Sequence, residues 1–158
     1  MADVQEKIPE IQVSSRAFQE TFPDFAENDV ASLCHYLEIR EFPEGAIVWK
    51  PGDPARFMGF LLHGKLLVKR EGRFPGKLIL LAILEKGTFF GETAISPLQC
   101  HTATLTAAVH SQAGILSQEN ARKLFEQEPA LGIKLLKRIV IVGSLRLQHS
   151  GLRLAELL

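Results

Sequence analysis

The sequence predicts an α+β fold that is mainly β, in which a block of short antiparallel strands lies between two helical segments. Three observations support this prediction. In residues 14–38, large apolar side chains recur at steps of three or four residues. In residues 40–116, glycines and prolines divide the chain into short segments rich in Ile, Val, Leu and Phe. From residue 117 onward, the helical spacing returns.

Length and composition indicate a single domain, residues 1–158, with enough apolar surface for a core, because 46% of the residues are hydrophobic and 23% are charged. The 18 basic and 18 acidic residues give a net charge of zero. Proteins that bind DNA or RNA are usually strongly basic, so we expect no nucleic-acid partner for this chain alone. The apolar runs are far shorter than the about 20 residues that span a bilayer, so no membrane segment is expected.

The first helical segment contains a break. Its apolar positions follow a helical period, but Pro23 interrupts them. We therefore predict two short helices within residues 14–38, with a turn at Pro23 and Asp24. The apolar residues of this pattern are Phe18, Phe22, Phe25, Val30, Leu33 and Leu37.

The β block is predicted from the positions of its turns. A hairpin turn is expected over residues 71–76, where Gly72, Pro75 and Gly76 cluster. The segment from Gly87 to His101 fits neither a regular strand nor a long helix, which marks it as an irregular insert. The predicted strands are residues 41–42, 47–50, 57–62, 65–70, 77–84, 103–109 and 112–116.

The C-terminal segment predicts two helices. Ser117 is placed to cap a helix over residues 118–127, and Pro129 is placed to begin a longer one that runs toward Leu158. Gly143 is a possible bend in the longer helix. We expect the basic side chains of this helix to form a solvated face; they are Lys134, Lys137, Arg138 and Arg146.

The long helix carries two apolar stripes, and a small β domain can cover only one of them. The sequence therefore predicts a homodimer formed through residues 129–158; the alternative is a helix that wraps its own domain and frays at its end. One stripe is Ile133, Leu136, Val140, Gly143, Leu147, Ser150, Leu154 and Leu157. The second stripe is Leu131, Leu135, Val142, Leu145 and Leu152.

The order of motifs in residues 18–129 resembles the cyclic-nucleotide-binding domain family, which includes the catabolite activator protein and the regulatory subunits of cyclic-nucleotide-dependent kinases. The resemblance rests on Phe42-Pro43-Glu44-Gly45, Pro51-Gly52-Asp53, Gly64, the run Gly87-Thr88-Phe89-Phe90-Gly91-Glu92-Thr93-Ala94, and Ala103-Thr104-Leu105-Thr106-Ala107. It implies an antiparallel, jelly-roll-like β-roll flanked by N-terminal helices and a long C-terminal helix. It also implies a phosphate-binding cassette at residues 90–103.

The cassette residues suit an anionic ligand. Gly91 permits close backbone approach, and amides at the start of a short helical turn after it can point toward an anion. The resemblance implies that Glu92 accepts a hydrogen bond from a ribose 2′-hydroxyl. The predicted ligand-binding residues are Phe90, Gly91, Glu92, Thr93, Ala94, His101, Thr102 and Ala103.

One element of the family pattern is missing. The family places an arginine before the small residues of the following strand, and His101 stands at that position in this chain. Loss of a charge-assisted hydrogen bond of about 1.5–3 kcal/mol corresponds to about 10- to 150-fold weaker binding. Glu92 without a cationic neighbour is also expected to repel an anion. A protonated His101 would be a partial substitute that strengthens binding in acid; otherwise His101 is a half-exposed strand-end residue without a ligand.

Other chemistry has little support in the sequence. The five histidines form no HxH or HExxH pair, so no metal site is expected, and the absence of a GxSxG motif agrees with a protein that is not an enzyme. Cys34 and Cys100 are too few for a disulfide framework, which favours a cytoplasmic location. Trp49 and Phe57 are interpreted as core or rim residues. The family's transcription factors carry a helix-turn-helix domain after the long helix, and we expect no DNA binding by that route from residues 1–158, whether they are a stand-alone domain or part of a longer chain.

These observations predict a non-enzymatic sensor or regulatory module that binds cyclic AMP or cyclic GMP and forms a homodimer, without a cofactor. The alternative is a degenerate domain that binds no cyclic nucleotide and acts as a dimerisation or protein-interaction scaffold. Restoring the cassette arginine at His101 would separate the two, because only an intact cavity would gain affinity from it.

Overall fold

A computed structural model describes residues 15–96 and 99–156. Within these residues, two short helices precede eight strands, and two helices follow the strands. The helices are α1 Ser15–Thr21, α2 Glu27–Cys34, α3 Gln118–Gln127 and α4 Pro129–Glu156, and a 3₁₀ helix spans Glu92–Ile95. The strands are β1 Glu38–Phe42, β2 Ile47–Trp49, β3 Phe57–His63, β4 Lys65–Glu71, β5 Leu78–Glu85, β6 Phe89–Phe90, β7 Thr104–Ala107 and β8 Ser111–Ser117.

The strands form two four-stranded antiparallel sheets, ordered β1-β8-β3-β6 and β2-β7-β4-β5. Apolar side chains from both sheets meet in one cluster, which includes Leu61 and Ile115 from the first sheet and Leu66 and Leu105 from the second. Alternation along the strands directs these residues inward. The antiparallel β-roll with helices before and after it is therefore confirmed.

The helices cover the other face of the first sheet. A second core cluster joins Phe22 of the N-terminal segment, Leu33 of α2 and Phe60 of β3 to Leu124 of α3 and Leu135 of α4. Each of these five side chains is at most 1% exposed. This shared core fixes the start of α4 against the β-roll.

The predicted helix boundaries hold closely. Pro23 lies between α1 and α2, as expected. The Ser117 hydroxyl accepts a hydrogen bond from the Asn120 amide at 3.1 Å, which confirms it as the N-cap of α3. The helix α4 begins at Pro129 and continues through Gly143 without interruption. The predicted helical segments also included residues 14, 157 and 158, which lie outside the described part of the chain.

The strand prediction was less accurate at the edges. β1 begins three residues before the predicted segment 41–42, and β7 is shorter than the predicted 103–109. The two-residue strand β6 lies inside the segment that the sequence marked as irregular, where it pairs with β3. The predicted hairpin at residues 71–76 connects β4 and β5.

At its beginning, α4 is packed against the core along one stripe only. Leu131 and Leu135, from the second predicted stripe, are buried at 4% and 0% exposure. Farther along the same stripe, Leu145 and Leu152 are exposed. The described large apolar residues of the first stripe are also exposed: Ile133, Leu136, Val140 and Leu147. Neither α4 nor any other helix in residues 15–96 and 99–156 has the length and apolarity needed to cross a membrane.

Candidate functional site

A cavity of about 910 Å³ lies where β5, the cassette segment and α4 come together. Its walls include Ala82 and Leu84 of β5, and Arg146, His149 and Ser150 of α4. Of the predicted ligand-binding residues, seven line it: Phe90, Gly91, Glu92, Thr93, His101, Thr102 and Ala103. The fold therefore brings most of the predicted site into one space.

Gly91 is required by the shape of this cavity. Its φ of 71° lies in the left-handed region, where residues with a side chain are strained. A Cβ atom there would lie 2.9 Å from the Phe57 carbonyl oxygen and 2.9 Å from a ring carbon of Trp49. The glycine thus allows the backbone to turn from β6 into the 3₁₀ helix while lying against β3 and Trp49.

The 3₁₀ helix places its residues differently from the sequence expectation. The Glu92 and Thr93 side chains lie at the cavity wall, whereas Ala94 is buried at 2% exposure and does not line the cavity. The Ala94 amide donates to the Gly91 carbonyl at 3.0 Å, so it is not free for an anion. Ala94 therefore serves packing, in contrast to its predicted role in binding.

His101 is buried at 8% exposure, which corrects the interpretation of a half-exposed strand-end residue. It precedes β7, and its ring stacks on the Trp49 indole with centroids 3.7 Å apart and planes 4° apart. Backbone hydrogen bonds hold it in place: its amide donates to the Asp53 carbonyl at 2.9 Å, and its carbonyl accepts from the Gly52 amide at 2.8 Å. The loop at residues 51–54 is thereby tied to the cassette.

Burial lowers the pKa of His101, and the nearby Asp53 carboxylate opposes this effect only in part. The imidazole is therefore neutral at pH 7, and a protonated His101 would require more acidic solution than an ordinary histidine. Trp49 is half-buried; it packs edge-on against Phe57 with ring centroids 5.7 Å apart and lines the cavity. It is thus a wall of the site as well as a rim residue.

Arg146 is the main correction to the sequence analysis, which placed it on a solvated face. It is only 34% exposed and reaches from α4 to the cassette. Its Nη2 donates to the Thr88 hydroxyl at 2.6 Å and to the Phe89 carbonyl at 2.5 Å. The guanidinium carbon lies 4.7 Å from the centre of the Phe89 ring. Its Nη1 is 3.8 Å from the Glu92 carboxylate, so Glu92 does have a cationic neighbour.

Two other basic residues of α4 form ion pairs with the N-terminal helical segment. Lys134 pairs with Asp29 of α2 at 2.5 Å, and Arg138 pairs with Asp24 at 3.1 Å. These ion pairs tie α4 to the N-terminal helices. The predicted solvated face thus consists largely of interhelical contacts, and Arg146 lies apart from it.

The sequence contains a signal for the half-buried position of Arg146. Leu135, Ile139 and Val142 follow the helical period on the side of α4 that packs toward the core, and Arg146 continues the same row. A basic residue that continues a core-facing row indicates a buried or half-buried charge with a partner. His149 and Ser150, three and four residues farther along, lie on the adjoining turn and line the same cavity.

The described residues include no cluster of side chains suited to bind a metal ion. In residues 15–96 and 99–156, no group of three or more His, Cys, Asp or Glu side chains is arranged to hold a metal ion. Cys34 is partly buried against the helical core, and burial raises the pKa of its thiol. Cys100 is exposed beside the cavity.

Comparison with known proteins agrees with this architecture. A crystal structure of a cyclic nucleotide-binding domain from Methylobacillus flagellatus superposes with a TM-score of 0.78 at 24% identity, covering 88% of this chain and 83% of the other. The Thermus thermophilus catabolite activator protein gives a TM-score of 0.71 at 23% identity, over 87% of this chain and 62% of that protein. At these identities, the likeness shows the fold.

Sequence relatives are larger proteins. A CRP-like cAMP-activated global transcriptional regulator of Mycobacterium tuberculosis is 27% identical over 129 residues, which are 82% of this chain and 55% of the relative. A candidate potassium channel protein of Rhodopseudomonas palustris is 27% identical over 114 residues, which are 72% of this chain and 27% of the relative. The chain thus spans about half or less of the length of these curated relatives.

A family model, described as the cyclic nucleotide-binding domain, matches residues 39–128. That match covers β1 through α3 and contains the cassette. It includes more than half of the 158 residues. The chain therefore belongs to the cyclic nucleotide-binding domain family.

Proposed function

We propose that this protein is a non-enzymatic sensor module that binds a cyclic nucleotide in the cavity between the cassette and α4. The observation that carries the proposal is the meeting of Gly91, Glu92 and Arg146 in one cavity of about 910 Å³. That volume is within the range of small-molecule sites, about 300–1,000 Å³. A C-terminal helix and a ligand-binding cassette that share one cavity suit a regulatory role, because a ligand bound between them would contact both.

The residues around the cavity provide contacts for each part of such a ligand. Glu92 accepts a hydrogen bond from a ribose hydroxyl, and the left-handed turn at Gly91 places Glu92 at the cavity wall. The exposed Thr102 hydroxyl is a donor for a phosphate oxygen beside Ala103. The apolar wall formed by Ala82 and Leu84 suits the base.

The cassette itself offers little positive charge. His101 occupies the place of the family's arginine, and its lowered pKa keeps it neutral at pH 7. We therefore expect affinity below that of a cassette with arginine by about 10- to 150-fold, the equivalent of a charge-assisted hydrogen bond. The sequence suggested that protonation of His101 strengthens binding in acid. Because the pKa of His101 is lowered, that strengthening requires a lower pH than an ordinary histidine would need.

The second part of the proposal is a homodimer formed through α4. Val140, at 65% exposure, and Leu147, at 76%, stand on the helix side that faces away from the core. An apolar row of this kind is costly in water, and a second α4 that pairs with it about a two-fold axis would cover it. The two free cysteines agree with a reducing, cytoplasmic setting for this dimer.

A thermal-shift titration tests ligand binding. Cyclic AMP and cyclic GMP are added up to millimolar concentration, and a ligand at about 100 times its Kd stabilises the fold by about 2.7 kcal/mol. We expect a saturable rise in Tm with at least one of them. No rise with either nucleotide at pH 6 or pH 8 would contradict the proposal.

A scaffold without nucleotide is the second candidate, and the stacking of His101 on Trp49 favours it. His101 is buried where the family places its phosphate-binding arginine, and its ring stacks on the half-buried Trp49. In that case, the dimer would form as above and the His101→Arg variant would bind no better than wild type. A sensor predicts instead that His101→Arg gains affinity for cyclic AMP.

A further inference from the structure

We infer that the positive charge that meets an anionic ligand in this cavity is supplied by Arg146 of α4. This inference rests on the proposed function, because it assigns the contact for the ligand's phosphate. The family pattern places this cation in the β-roll, whereas here the C-terminal helix supplies it. Binding of the ligand's charge and docking of α4 then depend on the same side chain.

The charges around the cavity support this assignment. The Lys and Arg side chains that line it, among the residues described, are Lys86 and Arg146. Lys86 forms an ion pair with Glu20, which is not among the lining residues, and its side chain is 50% exposed. Arg146 is less exposed, at 34%, and its acidic neighbour at 3.8 Å is Glu92, which lines the cavity. Arg146 is therefore the better placed of the two to meet an anion.

The guanidinium is held in place and still has donors to offer. Both of its hydrogen bonds, to the Thr88 hydroxyl and the Phe89 carbonyl, are made by Nη2. Contact with the Phe89 ring fixes the plane of the group. An arginine has five N–H donors, so those of Nη1 and Nε are available to a phosphate. The Nη1 distance of 3.8 Å to Glu92 is too long for a hydrogen bond.

Glu92 and Arg146 have complementary tasks when a nucleotide enters. Glu92 accepts from a sugar hydroxyl, and the Arg146 donors turn to the negative oxygens. Because Arg146 is half-buried, its attraction to the phosphate is screened less by water than that of a surface arginine. The ion pair with Glu92 also offsets the repulsion between that carboxylate and the phosphate.

The location of the cation has a regulatory consequence. Arg146 anchors α4 to the segment that links β5 to the 3₁₀ helix through Thr88 and Phe89. A phosphate that bridges Arg146 and the cassette adds a further link across the same gap. Ligand binding thus stabilises the docked position of α4 directly. The exposed apolar row with Val140 and Leu147 lies on the opposite side of the same helix, so its position depends on that docking.

The test compares Arg146→Gln with Arg138→Gln. The second variant is the matched control: it makes the same change eight residues earlier in α4 and removes only the ion pair with Asp24. Affinities for cyclic AMP and for adenosine, which has no phosphate, are measured by the fluorescence of Trp49, the single tryptophan. We expect Arg146→Gln to weaken cyclic AMP by about 10- to 150-fold and adenosine little, whereas Arg138→Gln changes neither. Arg146→Lys should recover part of the loss.

A double variant separates charge from structure. His101→Arg added to Arg146→Gln returns a cation to the cassette, and we expect it to restore cyclic AMP binding. Equal cyclic AMP affinity in wild type and Arg146→Gln would overturn the inference while leaving the proposed function intact. Equal losses for cyclic AMP and adenosine would also overturn it, since Arg146 would then act only in folding. If neither wild type nor His101→Arg binds cyclic AMP, the proposed function fails and this inference fails with it.

Discussion

Replacing Gly91 with alanine should destabilise the fold more than replacing a glycine of the same conformation elsewhere. Gly91 and Gly76 have φ values of 71° and 78°. A residue with a Cβ pays about 1–2 kcal/mol in this left-handed region. At Gly76, nothing lies within 4 Å of the added Cβ, so that cost should be the whole effect.

At Gly91, the added Cβ also meets the Phe57 carbonyl oxygen at 2.9 Å, and backbone atoms cannot easily move away. Overpacking of this kind costs about 1–3 kcal/mol more. We therefore expect Gly91→Ala to lower the free energy of unfolding by about 2–5 kcal/mol and Gly76→Ala by about 1–2 kcal/mol.

Urea denaturation followed by far-ultraviolet circular dichroism measures both variants, and this signal does not depend on the Trp49 environment. The difference between the two variants isolates the close approach at the cassette. Equal losses for Gly91→Ala and Gly76→Ala would refute the claim that packing against Phe57 and Trp49 requires a glycine.

Three further predictions concern His101 and α4. Because the folded-state pKa of His101 is lowered, its contribution to stability is present above the ordinary histidine pKa and is lost as pH falls. Urea titrations from pH 7 to 5 should therefore show a steeper loss of stability in wild type than in His101→Gln, and equal slopes would contradict this reasoning. His101→Arg should tighten cyclic AMP binding by about 10- to 150-fold in a calorimetric titration, and unchanged affinity would favour the scaffold. For the proposed dimer through α4, Leu147→Glu should give a monomer in sedimentation experiments, whereas Gln148→Glu at the exposed neighbouring residue should not. A wild-type chain that sediments as a monomer, or a dimer that survives Leu147→Glu, would contradict this interface.

The fold was largely predictable because local signals agreed with one another. Pro23, Ser117 and Pro129 each mark a helix boundary through a backbone or capping effect that acts within a few residues. The hairpin between β4 and β5 follows from its turn glycines. The strand β6 was missed because two residues carry no periodicity, and only pairing with β3 defines it.

The candidate site was predictable where it is continuous in sequence and less so where it depends on packing. Gly91 and Glu92 belong to a recognisable run, and the structure places both at the cavity. The approach of Arg146 to Glu92 joins residues 54 positions apart, so it depends on how α4 lies on the β-roll. The stacking of His101 on Trp49 likewise arises from the meeting of two distant segments.

The central claim, that the cavity binds a cyclic nucleotide, is tested most directly by calorimetric titration of the full chain with cyclic AMP and with its 2′-deoxy analogue. The account predicts saturable binding of one cyclic AMP per chain. It also predicts weaker binding of the analogue, which lacks the hydroxyl that Glu92 would accept from. No saturable binding of cyclic AMP or cyclic GMP up to millimolar concentration would contradict the account.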